Sequence, residues 1–123
     1  MVTDSGDLAR VAARAASSKQ GEAIVILDVR ELLTITDYFV ITSGASDRQV
    51  NTLADEIVRT LKDHGVRPVA EERDAQARWI LLDFGDFVVH VFRQEEREYY
   101  RLENLWADAP RIEWDEEAKA SSG

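Results

Sequence analysis

The chain has no cysteine, two prolines and only two histidines among its 123 residues. Without cysteine there is no disulfide framework, no zinc-thiolate or iron–sulfur site and no thiol nucleophile. His64 and His90 stand far apart in sequence, which argues against a multi-histidine metal centre. No run approaches the roughly 18 consecutive apolar residues of a membrane span. No apolar signal segment opens the sequence, so a cytoplasmic location without a membrane partner is expected. Positive charge is also short: 15 Lys and Arg face 24 Asp and Glu, for a formal net charge of −9. That balance disfavours a phosphate-tracking nucleic-acid binder, which needs a basic patch. A basic protein partner fits the sign better.

What is present is an ordinary globular composition, 45% hydrophobic and 32% charged, at a length that suits one domain. Asp4 or Ser5 can cap a first helix in which Leu8, Val11, Ala12 and Ala15 recur at helical spacing, ending near Gly21. AIVILDV (Ala23–Val29) is a short, branched, almost wholly apolar run, the pattern of a strand buried on both faces. RELLTIT reads as a connection with a turn of helix, and DYFVITSG (Asp37–Gly44) as a second strand. Ser46 followed by Gln49 is a capping-box signature. Behind it Val50, Leu53, Ala54, Ile57, Val58 and Leu61 form one apolar helical stripe that Gly65 and Pro68 bring to an end. RPVAEE (Arg67–Glu72) has the proline and charge of an edge strand. Gln94–Trp106 reads as a last helix turning Tyr99, Leu102 and Leu105 or Trp106 inward. The domain is expected to span residues 1–110, with 111–123 a flexible acidic tail anchored only by Trp114. This order of elements argues for an α/β fold with a single mixed β-sheet flanked by helices.

Between these elements lies WILLDFGDFVVHVF, residues 79–92. If Gly85-Asp86 is a two-residue turn, Leu82 pairs with Val89, Leu81 with His90 and Trp79 with Phe92. Alternation then puts Ile80, Leu82, Phe84, Phe87, Val89 and Val91 on one apolar core face. The other face carries Trp79, Leu81, Asp83, Val88, His90 and Phe92, a mixture resembling the centre of a protein interface. The competing reading is that a helix covers this second face too, with Asp83 and His90 as satisfied buried groups.

Two chemical readings compete with docking. Asp83 and His90 are diagonal neighbours, about 7 to 8 Å apart by general sheet geometry, yet no nucleophile or metal is placed beside them. ITSGASDRQ sets small hydroxyl residues at a helix N-terminus, where amides can hold an anion. It lacks the P-loop lysine, and no apolar-flanked pair of strand carboxylates stands ready for magnesium. A nucleotide-binding or nucleotidyltransferase-like enzyme using the Ser43–Ser46 turn is thus the alternative function.

Three segments in order, DYFVITSGASDRQV, WILLDFGDFVVHVF and REYYRLENLWADAP, resemble the signature segments of the ribosome silencing factors, the Iojap-like family. The resemblance runs from about Ala23 to Pro110. In the first segment the matching residues are Asp37, Tyr38, Phe39, Ser43, Gly44 and Ser46. The second matches at Trp79, Leu82, Asp83, His90 and Phe92, and the third at Arg97, Tyr100, Leu102, Glu103, Leu105 and Trp106. The family usually places glycine after the acid that precedes the tryptophan by seven residues; here Arg73 follows Glu72. The resemblance implies a nucleotidyltransferase-like topology lacking the catalytic acids, with no catalytic residue, cofactor or metal. It implies a translation repressor that binds large-subunit ribosomal protein number fourteen, blocks subunit joining when nutrients are short, and is a homodimer when free. The expected partner-binding residues are Trp79, Leu81 and Phe92 as apolar anchors, Asp83, Glu71 and Glu72 as acids for basic partner groups, and His90 as an orienting hydrogen-bonder.

Overall fold

A computed structural model describes residues 4–114, apart from the side chains of Glu103 and Leu105. Its centre is a parallel pair of strands. Strand β2 (Tyr38–Gly44) runs beside β5 (Phe87–Arg93), with Val40 opposite Val89 and Ile41 opposite His90. Every residue of β2 is buried, as its continuous apolar run demands. On one side β1 (Glu22–Asp28) pairs antiparallel with β2, and on the other β4 (Trp79–Asp83) pairs with β5, with β3 (Ala70–Arg73) outermost. A two-residue strand β6 (Arg111–Ile112) closes the opposite edge, so the order is β3-β4-β5-β2-β1-β6. The mixed α/β sheet is the expected architecture.

Two helices, α1 (Ser5–Ser18) and α2 (Asp47–Asp63), cover the inner face. The stripe of α2 meets the alanine face of α1 and the inward residues of β2, β4 and β5 in the main core. Its start works nearly as the capping box requires. The Gln49 amide donates to Ser46 Oγ at 3.1 Å, while Gln49 Oε1 accepts from the Ala45 amide at 2.7 Å rather than from that of Ser46. The hairpin keeps its expected register, since Gly85 takes φ +89°, a conformation that glycine adopts without Cβ strain.

Two expectations change. The last helix is not continuous: α3 (Gln94–Tyr100) and α4 (Leu102–Leu105) are separated by Arg101 at φ 49°, ψ 52°. A straight helix would carry Leu102 and Trp106 away from the sheet; the left-handed residue turns them back onto it, at about 1 to 2 kcal/mol for a residue with a Cβ. The boundary at Pro110 is also too early. Arg111 and Ile112 pair with Leu27 and Ile26, and Arg10 and Arg14 on α1 donate to the carbonyls of Glu113 and Trp114 at 2.9 and 3.1 Å. The rest of the expected acidic tail, residues 115–123, lies outside the described residues.

The two layers grade the cost of substitutions. Leu53 is fully buried, so Leu53→Ala should cost about 2 to 5 kcal/mol. Ser46→Ala, which removes a cap, should cost about 1 kcal/mol. Urea unfolding of both variants checks the ranking, and equal losses would mean the α2 stripe is not the core seam.

Candidate functional site

The outer face of the sheet is divided. Over β1, β2 and β5 it is closed by a second cluster, in which Leu27, Val29, Phe39, Ile41 and Phe92 pack beneath Leu102, Trp106 and Ala109 of the returning segment. Over β4 and β3 it is largely open, the returning segment reaching β4 only through Tyr100 of α3. The boundary runs through an aromatic row. Trp79 lies 4.9 Å from Phe92 and 4.9 Å from Tyr100, and Phe39 meets His90 edge-on at 5.0 Å.

This division sorts the expected docking residues. Trp79 and Leu81 are half-buried and face the open part. Glu72 lies opposite Leu81 in the ladder and shares that face. Glu71 does not: it lies opposite the core residue Leu82, and its carboxylate pairs with Arg73 at 2.8 Å. Strand alternation separates the two neighbouring acids, so Glu71 belongs to the α2 side. Phe92 is 1% and His90 6% exposed; they form the floor beneath Trp79 and are not surface anchors. A partly covered second face is therefore the correct picture, between the bare and the fully covered readings.

The polar groups are engaged locally. Asp83 Oδ1 accepts from the Gly85 amide at 2.8 Å and so builds the hairpin turn. His90 Nδ1 accepts from the Trp79 indole at 3.2 Å, so it holds the tryptophan in place, and the ring is neutral with its proton on Nε2. No hydrogen bond joins Asp83 to His90 among the described residues. The hydroxyls of the glycine turn are committed too. Thr42 and Ser43 donate to the Glu22 carbonyl at 3.1 and 3.4 Å, and Ser46 caps α2.

Residues not anticipated complete the open side. Glu96, Tyr99 and Tyr100 of α3 line one concave cleft of about 610 Å³ with Trp79, Leu81 and Glu72. Tyr99, expected to point inward, is 81% exposed. The signal was legible: 96, 99 and 100 stand at i, i+3 and i+4, one face of a helix. Arg97, on another face of α3, is buried and anchors the helix by donating to the Glu22 carbonyl at 3.2 Å and to Ser43 Oγ at 3.3 Å. Arg73 ends β3 in ordinary strand backbone and reaches α2, bonding Asn51 at 3.1 Å and Asp55 at 2.9 Å.

A model of the family "Ribosomal silencing factor during starvation" matches residues 2–123. The chain belongs to the ribosomal silencing factor family. It is 41% identical over 107 residues to the ribosomal silencing factor of Halalkalibacterium halodurans, covering 87% of this chain and 92% of that one. It is 37% identical over 87 residues to mouse "Mitochondrial assembly of ribosomal large subunit protein 1", covering 68% of this chain and 38% of that one. A crystal structure of a protein from Chromobacterium violaceum superposes with a TM-score of 0.82 at 33% identity, over 85% of this chain and 88% of that one. No helix described in this silencing factor is long and apolar enough to cross a membrane.

Burial gives this silencing factor a pH dependence. Desolvation lowers the His90 pKa from 6.5 to about 4. The unfolded chain then takes up the proton first, so stability present at neutral pH is lost as pH falls from 6.5 toward 4. Between pH 6.5 and 5 the loss from this group should be about 1 to 2 kcal/mol. Unfolding free energies at the two pH values should show it, and His90→Gln should remove most of the difference; an unchanged slope in that variant would contradict the assignment.

Proposed function

We propose that this protein is a non-enzymatic translation repressor that docks on the large ribosomal subunit through ribosomal protein number fourteen and keeps the small subunit from joining under nutrient limitation. The observation that carries the reading is the open outer face beside β4. Trp79 and Leu81 present aromatic and aliphatic surface there, next to acidic side chains, in a chain of net charge −9. Large aromatic side chains at the centre of a desolvated patch supply most of the energy of an interface. Surrounding acids favour a partner that carries lysine and arginine. Two relatives, one named for ribosomal silencing and one for assembly of the ribosomal large subunit, support a ribosomal partner. Blocking would be steric, because a domain of 13.9 kDa seated on the joining surface excludes the other subunit by its bulk. In the free protein a second copy would cover the same face, so that dimer and ribosome compete for it.

The test uses purified subunits. Trp79→Ala combined with Leu81→Ala should weaken co-sedimentation with large subunits at least about tenfold and restore association of the two subunits. Ile35→Ser, at an exposed position in the β1–β2 connection, should change neither. If the double variant binds and blocks like the parent protein, the β4 face is not the docking site.

A further inference from the structure

We infer that the cleft between β4 and α3 is a receptor for one arginine side chain of the partner, its guanidinium stacked on the aromatic wall and held by Glu72 and Glu96. The inference rests on the docking reading above for the identity of the partner, but its chemistry is argued from the cleft.

The walls are aromatic and they stay open. Trp79 and Tyr100 pack against each other at 4.9 Å, and Tyr99 stands at 89° to Tyr100 at 5.1 Å, which makes an aromatic corner. Tyr99 and Tyr100 are 81% and 43% exposed, far more than two such rings need to be if their role were packing alone. Leu81 supplies the apolar base on which an aliphatic stem can lie. The volume of about 610 Å³ admits a long side chain together with the backbone that carries it.

The charge balance of the lining selects the occupant. Two arginines border the cleft, and both are neutralised from within the protein. Arg78 is held by Asp74, with Nε donating to Oδ2 at 2.9 Å and the Arg78 amide to Oδ1 at 2.8 Å. Arg73 is shared between Asp55 and Glu71. Asp74 is spent on Arg78. Glu72 and Glu96 remain, and among the described residues neither is in an ion pair. An aromatic corner with two carboxylates outside any ion pair, Glu96 acting on Arg78 only through space, is complementary to a cation. Guanidinium suits it better than ammonium, because its planar fork stacks on a ring and presents several N–H donors to carboxylates while the more weakly hydrated cation loses less on leaving water. Glu71 and Asp55 hold Arg73 aside, so it rims the cleft without filling its charge.

Two measurements test this. The first follows the Trp79 indole N–H resonance while acetyl-Gly-Arg-Gly-amide or its lysine counterpart is added. The arginine peptide should move it saturably and bind more tightly than the lysine peptide, and E72Q/E96Q should abolish the shift. The second measures co-sedimentation with large subunits, where E72Q/E96Q should weaken binding about tenfold with an unchanged circular dichroism spectrum. An unmoved Trp79 resonance, equal binding of the lysine peptide, or a double variant that binds subunits within about twofold of the parent protein would each overturn the inference. If the parent protein fails to bind large subunits while the arginine peptide still moves Trp79, the docking reading falls and the receptor for arginine stands.

Discussion

The parallel pairing of β2 with β5 is the constraint from which the rest follows. Both strands lie in the middle of a six-stranded sheet, and β2 is buried along its whole length. A strand with apolar residues on both sides needs cover on both. Helices α1 and α2 provide the inner cover, with Tyr38, Val40, Phe87, Val89 and Val91 in their core. Much of the outer cover comes from the segment after β5, with Val29 and Leu33 of the β1–β2 connection beside it. Beyond β5 that segment reaches β4 only where Tyr100 meets Trp79, so β4 and β3 keep a face that the described chain leaves largely open.

The return of that segment depends on two residues with local costs. Arg101 adopts the left-handed conformation, and Arg97 takes a guanidinium out of water. The second cost is offset only when the donors find acceptors. Arg97 finds them at the Glu22 carbonyl and Ser43 Oγ, where a bulge in β1 breaks the regular ladder between Glu22 and Val25. The irregular end of one strand therefore supplies the acceptor that an unbroken ladder would have consumed. Pinned there, α3 sets Tyr100 against Trp79 and turns Glu96 and Tyr99 toward β4. Packing at the far end of the sheet in this way determines the wall of the cleft.

Most of the sheet was legible because its signals are local. The Ser46 cap, the α2 stripe and the Gly85 turn each depend on residues a few positions apart, and the turn alone sets Leu81 opposite His90. The errors share another character. Alternation says on which side of a strand a residue lies, but not what third layer arrives over it. Phe92 and His90 therefore read as surface groups until the returning segment is seen above them. For Glu71 the reason is simpler, since adjacent strand residues cannot share a face. Arg111 and Ile112 form too short a strand to show any period, and only their pairing with β1 reveals it. Tyr99 reads as inward only on a continuous helix, and the break at Arg101 has no glycine or proline to announce it.

His90 joins these levels. Its Nδ1 accepts the Trp79 indole proton, which obliges Nε2 to carry the ring's own proton, and Nε2 is buried without a partner. An orphaned buried donor costs about 1 to 3 kcal/mol, and edge-on contact with Phe39 offsets only part of that. A leucine in the same place would avoid the cost, yet it would leave the half-buried indole of Trp79 without its acceptor and free to choose another rotamer. A positively charged imidazole would cancel part of the acidic field that Glu72 and Glu96 set up beside it. Only the neutral imidazole both fixes the tryptophan and leaves that field intact, and burial extends the neutral range of the ring well into mildly acidic pH. The same aromatic cover that closes the outer core thereby leaves the neighbouring open face its acidic character and holds its central tryptophan in register.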